Sequence, residues 1–293
     1  MPGYHLPYFT AAAKNTYTRH GLEVEIVYPE PGPDNIRAVA QGRYDVCLTS
    51  VAHFLRALSE DEGIGARFVF MIARHTHMGV LFARGRPILQ RGPIEGFSDL
   101  EGASFLGDPQ SPFTREYLHL VDVLGYSNTP VVDVPYGEVK EALAAGKGDV
   151  TADFVDLLPD YRAAAAGRNL DITALAFHEA GIDIYGSGLV AGTGLIGSRP
   201  EIVGATIAAI EEALEESRRD PTEGVEALVE RFPEAGADRT LAGWRAGEAL
   251  IFVEDGRPLG SMDPDKWTRT IDYHAAVHGT ARTTADSVFV DLR

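Results

Sequence analysis

The sequence predicts an α/β protein of two similar three-layer lobes with a ligand cleft between them. Three observations lead there: a length of 293 residues, an internal repeat, and helix signals alternating with β-branched runs inside each repeat. The length suffices for two domains, each with its own core. Residues 6–50 lie on residues 110–154 without a gap. Phe9-Thr10 falls on Phe113-Thr114, Gly21 on Gly125, Gly42 on Gly146, and Asp45-Val46 on Asp149-Val150. Glycines and aspartates that keep one register across a whole unit mark a duplicated supersecondary structure.

Each unit reads the same way. A helix starts near Pro7 or Pro112, where the missing N–H costs nothing, and ends at Gly21 or Gly125, suited to a left-handed C-cap. An extended run follows at 22–28 or 129–134, rich in β-branched residues. A second helix ends at Gly42 or Gly146, and Asp45-Val46-Cys47-Leu48 or Asp149-Val150-Thr151-Ala152 gives a short buried strand. Such alternation implies a parallel sheet covered on both faces. Residues 102–107 read as a strand ahead of the second unit. Its counterpart in the first unit falls at about residues −2 to 3, so a native start upstream of Met1, with room for a leader peptide, is expected.

Residues 68–73 and 80–83 read as strands around the segment Arg74-His75-Thr76-His77-Met78-Gly79. Residues 85–99, with prolines and glycines, lead into the second lobe. A strand at 185–191 returns the chain, and helices follow at about 200–219, 222–231 and 266–278. Lobe one is therefore discontinuous, residues 1–84 plus about 192–293, and lobe two spans about 85–191.

The formal net charge is −17, from 43 acidic and 26 basic residues. That field repels phosphate backbones, so nucleic acid is not an expected partner. No run approaches the roughly 18 apolar residues of a membrane span. A single cysteine, Cys47, excludes a disulfide framework and multi-cysteine zinc, and its apolar neighbours make it a structural thiol. The first residues have no basic start and no apolar core of a signal peptide. The location is cytoplasmic if Met1 is the true start, and periplasmic or extracellular and lipid-anchored if a leader precedes it.

The segments Gly3-Tyr4-His5-Leu6-Pro7-Tyr8-Phe9, His20-Gly21-Leu22-Glu23-Val24 and Gln41-Gly42-Arg43-Tyr44-Asp45-Val46 resemble the opening of the ABC-transporter substrate-binding proteins related to the sulfonate, nitrate and thiamine-precursor binders. Ser98-Asp99-Leu100-Glu101-Gly102 and residues 144–150 are similar to that family's second-lobe signatures. The resemblance covers about nine tenths of the chain. It implies a type 2 periplasmic-binding-protein fold, capture of a small organic ligand, anionic or aromatic, and delivery to an ABC permease. The family's first strand and leader, and the cysteine-rich iron motif of the related pyrimidine synthase, have no match here. A shorter likeness, Arg74-His75 after a strand, is to the dihydroxyphthalate decarboxylases. It leaves a cytosolic lyase as the alternative, with Arg74 holding a carboxylate and His75 or Asp153 moving a proton.

Helix N-termini at a cleft offer free N–H groups and a positive dipole end. That draws attention to His5 and Tyr8, to Thr49 and Ser50, and to Gln110, Ser111 and Thr114, although the hydroxyls equally suit plain helix caps. Arg74 and His75 form a candidate anion clamp. Asp153 stands in the second repeat where Thr49 stands in the first, and is a candidate acceptor for a ligand N–H. Tyr185 and Gly186 complete the set, with Tyr4, Phe113 and Phe154 as further stacking faces. No residue is assigned a catalytic role, and no metal or cofactor is expected. Gly192-Thr193-Gly194-Leu195-Ile196-Gly197 matches a dinucleotide fingerprint in form only, because the helix begins after the last glycine and no acid-bearing second strand follows.

Overall fold

The computed structural model describes residues 3–28, 32–86 and 92–292. A 3-10 turn at Gly3–His5 opens into α1 (Leu6–Ala13) and α2 (Thr16–Arg19), broken at Asn15, whose φ of 56° is the left-handed conformation asparagine tolerates. There follow α3 (Pro33–Ala40), β1 (Val46–Ser50), α4 (Val51–Glu60), β2 (Ala66–Ala73) and β3 (Met78–Arg84). The second unit holds β4 (Phe105–Leu106), α5 (Pro112–Val123), β5 (Val131–Val132), α6 (Val139–Ala145), β6 (Val150–Phe154), α7 (Leu158–Ala164) and β7 (Asp171–Ala176). Then come β8 (Ser187–Gly192), α8 (Thr193–Ser198), α9 (Pro200–Arg219), α10 (Thr222–Arg231), α11 (Ala237–Ile251) and α12 (Pro264–His278).

The duplication is visible in the elements. β1 and β6 occupy repeat-equivalent positions residue for residue, and α5 starts at Pro112 behind Ser111, whose hydroxyl accepts from the Phe113 N–H. Gly146, at φ 72°, closes α6 as a left-handed cap.

Two sheets result. The first has the order β1-β8-β2, with both pairings antiparallel; the second has the order β5-β4-β6-β3-β7. Within the second, β5, β4 and β6 run parallel, whereas β3 is antiparallel to both β6 and β7. The expected all-parallel sheets are corrected on this point, because the strands that cross between lobes enter the opposite sheet in the opposite direction. β3 pairs in the second sheet and β8 in the first. The crossings therefore fall between Ala73 and Met78 and between Ala176 and Ser187, rather than at residues 84 and 192.

Both sheets are covered on two faces, as a three-layer lobe requires. Along β8, Leu189 and Ala191 pack with α1, α9 and Trp244, while Val190 between them packs with Phe54, Phe68 and Trp267. In the second sheet, Val80 and Phe82 face Tyr117 and Leu120, and Leu81 and Ala83 face Leu143 and Tyr161. α12 bridges the two bodies: Trp267 and Ile271 lie in the first core and Tyr273 in the second.

Two expectations fail locally. The extended run at 22–28 belongs to no strand among the described residues, and Val24, Val27 and Tyr28 are exposed. Its repeat partner β5 pairs with β4, and the positions equivalent to β4 are residues 1 and 2, which lie outside the described residues. α11 was not anticipated at all. Its two glycines mute the helical pattern, and they are there for packing: a Cβ on Gly243 meets the Asp156 carbonyl at 3.2 Å and the Gly3 nitrogen at 3.3 Å.

Candidate functional site

A cleft of about 1500 Å³ opens between the two sheets. It is larger than the few hundred to about 1,000 Å³ of ordinary small-molecule sites, because a groove between β1 and residues 22–28 runs into it. The lobe-one wall comes from the first turn of the chain, the end of β1 and Tyr185-Gly186-Ser187. The lobe-two wall comes from the start of α5, the end of β6 and the start of β3.

The cleft is paved with rings. Tyr28 lies 5.5 Å from His5, His5 4.3 Å from Tyr4, and Tyr4 5.1 Å from His77. The row continues into the other lobe, His77 to Phe154 at 5.8 Å and Phe154 to Phe113 at 5.4 Å. These are centroid spacings of mutually packed aromatics. A continuous aromatic band therefore crosses from one lobe to the other.

Polar groups interrupt the band sparingly. His77 Nε2 pairs with the Ser187 hydroxyl at 2.9 Å. Thr49 and Ser50 stand at the end of β1, and Ser50 caps α4 by accepting from the His53 N–H at 3.2 Å. His5 Nδ1 and the Tyr8 hydroxyl are buried without a hydrogen-bond partner in the protein. Such orphans are rare in native structures, and at a cleft they are natural contacts for a ligand. Burial drives the His5 imidazole down to about 3, with nearby Asp156 opposing it in part, so the ring is neutral at physiological pH. Burial raises the Tyr8 hydroxyl well above its ordinary value, which keeps it a neutral donor. Arg115, one residue past the helix start singled out by sequence, faces the cleft with no ion pair among the described residues.

Of the residues singled out from sequence, His5, Tyr8, Thr49, Ser50, Tyr185 and Gly186 come together on the cleft wall. Tyr185 has its hydroxyl committed to the Asp263 N–H at 2.7 Å, and Gly186 is glycine because a Cβ meets the His75 carbonyl oxygen at 2.5 Å. The other six lie elsewhere. Arg74 is buried and ion-paired with Asp255. His75 bonds Asp183 at 2.8 Å and stacks on His178 at 4.2 Å. Both therefore fasten the two crossing segments to each other and to the body, and neither lines the cleft. Asp153 is buried and satisfied by the hydroxyl of Tyr161 at 2.7 Å and by the Phe154 N–H at 2.8 Å. Gln110 donates its backbone N–H to Asp108, and Ser111 and Thr114 line a small hollow beneath the start of α5.

The anion clamp relied on Arg74 and His75, and the lyase alternative on Arg74 with His75 or Asp153; these side chains are not assembled around one space. Sequence reasoning also passed over Tyr28, Arg115, Glu116, His274 and His278 on the cleft wall. Only the last two carried a usable signal, histidines four apart on one helix. Cys47, in β1, is half-buried, and its thiol is pushed up to about 12 by burial, in line with a structural role.

The model of the family described as "NMT1/THI5 like" matches residues 3–224. The chain belongs to the NMT1/THI5-like family. Among relatives of this NMT1/THI5-like chain is the riboflavin-binding protein RibY of Chloroflexus aurantiacus, 23% identical over 279 residues, which span 92% of the chain and 76% of RibY. Solved structures agree on the fold. The periplasmic aliphatic sulphonate binding protein SsuA of Escherichia coli superposes with a TM-score of 0.71 at 15% identity, over 98% of this chain and 89% of that one. SsuA of Xanthomonas axonopodis pv. citri, bound to MOPS, gives 0.63 at 16% identity, over 98% and 95%. The NMT1/THI5-like chain thus has the periplasmic-binding-protein fold. No helix among its described residues is long and apolar enough to cross a membrane.

Proposed function

We propose that this protein is the ligand-capturing component of an ABC importer, closing its lobes on a flat aromatic or heterocyclic molecule and delivering it to a membrane permease. The aromatic band from Tyr28 to Phe113 is the observation that carries the reading. A flat ring system gains stacking contact on both lobes at once, and so rewards closure about the hinge. RibY is named for riboflavin, whose fused heterocycle suits such a lining; the SsuA proteins are named for sulfonates. An alkanesulfonate leaves the rings without a partner. Arg115 offers one charge at the rim for an acidic substituent. In this role the protein works outside the cytoplasmic membrane; SsuA of Escherichia coli is named as a periplasmic protein.

A thermal-shift panel tests the ligand class, with riboflavin, pyrimidines, aromatic acids and alkanesulfonates each added to the purified chain. A ligand present at a hundredfold its Kd stabilises the folded state by about 2.7 kcal/mol. Flat heterocycles are expected to raise Tm by several degrees while alkanesulfonates leave it unchanged. Stabilisation by alkanesulfonates alone contradicts the reading.

A further inference from the structure

Helix α12 has a second feature that the aromatic band does not use. His274 and His278 are four residues apart, so they lie on one face of α12 one turn apart. α5, from lobe two, brings Glu116 against them. One ring nitrogen from each histidine and a carboxylate oxygen of Glu116 all fall within 4.8 Å of one another. The three side chains border the cleft. Glu116 and His274 are 7% and 4% exposed, so this is not a surface cluster of the common kind.

Hydrogen bonding inside the group accounts for only part of it. Glu116 accepts from the Tyr273 hydroxyl, and its other oxygen lies 2.6 Å from His278 Nε2. His274 Nδ1 is buried with no partner. An unsatisfied buried nitrogen costs about 1–3 kcal/mol, and the ring that carries it offers one of its nitrogens to a group with two further ligand-type atoms. Two imidazoles and one carboxylate form the donor set of three-ligand zinc sites, which keep a fourth position open. The Tyr273 hydroxyl on Glu116 is the outer contact that fixes a ligating carboxylate.

We propose that Glu116, His274 and His278 bind a divalent metal ion of the zinc class in the cleft wall, its open position facing the cleft. The nitrogen–oxygen contact of 2.6 Å between His278 and Glu116 must widen to roughly 3.3 Å around an ion with bonds of about 2.0–2.1 Å, a shift well within side-chain reach. The ion pins α12, which is anchored in the first core, to α5 of the second, and offers the captured molecule a coordination point for an oxygen or nitrogen. This holds whichever organic ligand the cleft accepts.

The test uses the full chain, stripped with a chelator and titrated with Co²⁺ and then Zn²⁺. One equivalent of Co²⁺ is expected to give visible ligand-field bands that Zn²⁺ displaces. His278→Gln, His274→Ala and Glu116→Gln are expected to weaken metal binding at least 100-fold. Tyr273→Phe weakens it roughly 10–100-fold, as loss of an outer-shell partner does, and His75→Ala at the hinge leaves it intact. Metal-free melting curves check that each variant folds, and the conservative Tyr273→Phe carries the test if His274→Ala does not. No Co²⁺ band in the wild type, or a band that survives His278→Gln and Glu116→Gln, overturns the proposal. Riboflavin binding by the stripped protein is read separately, so failure of the metal site leaves the ligand reading standing.

Discussion

His5 sits on the cleft floor with one ring nitrogen unpartnered and its protonated form suppressed by burial. Asp156 pulls the other way, and His77 pushes further down. The folded-state value, about 3, lies below the ordinary 6.5 of an unfolded histidine. Below pH 6.5 the unfolded chain therefore binds a proton that the folded chain refuses. Stability from this group is whole above pH 6.5 and falls as pH drops towards 3, by roughly 1.4 kcal/mol per pH unit. Urea unfolding at pH 7 and pH 5 is expected to show a smaller acid loss for His5→Gln than for wild type, by up to about 2 kcal/mol. Equal losses refute the burial argument. The same residue marks what was legible at this scale. His5, Tyr8, Thr49 and Ser50 were readable because repeat and helix-start logic places them. Arg74 and His75 were misread because strand-end chemistry looks alike whether the next residues enter a cleft or cross between lobes.

Among the elements, α1 packs closely on α9 and α10 in lobe one. Thr10 hydrogen-bonds Ser217 at 2.7 Å and backs onto Gly224, where a Cβ would stand 2.1 Å from the threonine oxygen. Gly224→Ala must push that bridge apart. Overpacking of this kind costs about 1–3 kcal/mol, which for a chain of this size lowers Tm by roughly 2–5 °C. Gly204→Ala in α9 has nothing within 4 Å of the new methyl, and gains helix propensity of about 0.5–1 kcal/mol. Differential scanning calorimetry is expected to move the two variants in opposite directions; a shift of the same sign in both contradicts this packing. Helices with clean periodicity, α9 and α10, could be read from sequence to the residue. α11 could not, because its glycines answer to Gly3 and Asp156, which are remote in sequence. The run at 22–28 had strand composition, yet strand formation depends on a neighbour that local composition does not reveal.

Across the whole molecule, residues 74–77, residues 177–186 and α12 are among the segments that tie the lobes together, and α11 joins them through Gly243 against Asp156 and Arg239 on Asp160. The first two are clasped by the His75–His178 stack and the His75–Asp183 bond, with Lys266 of α12 on the same carboxylate. The two-lobed plan was legible because a duplication repeats its glycines and aspartates in register. Which strands change lobe was not, since β3 and β8 have the apolar composition of buried strands in either sheet. The central claim is that one aromatic ligand is held by both walls of the cleft. Calorimetric titration of riboflavin into wild type, Tyr8→Ala from lobe one and Phe113→Ala from lobe two tests it most directly, since each removes a ring worth about 1 kcal/mol or more of contact. The account predicts saturable one-to-one binding, weakened roughly tenfold by either substitution. Binding that ignores both substitutions, or responds to one lobe alone, contradicts it.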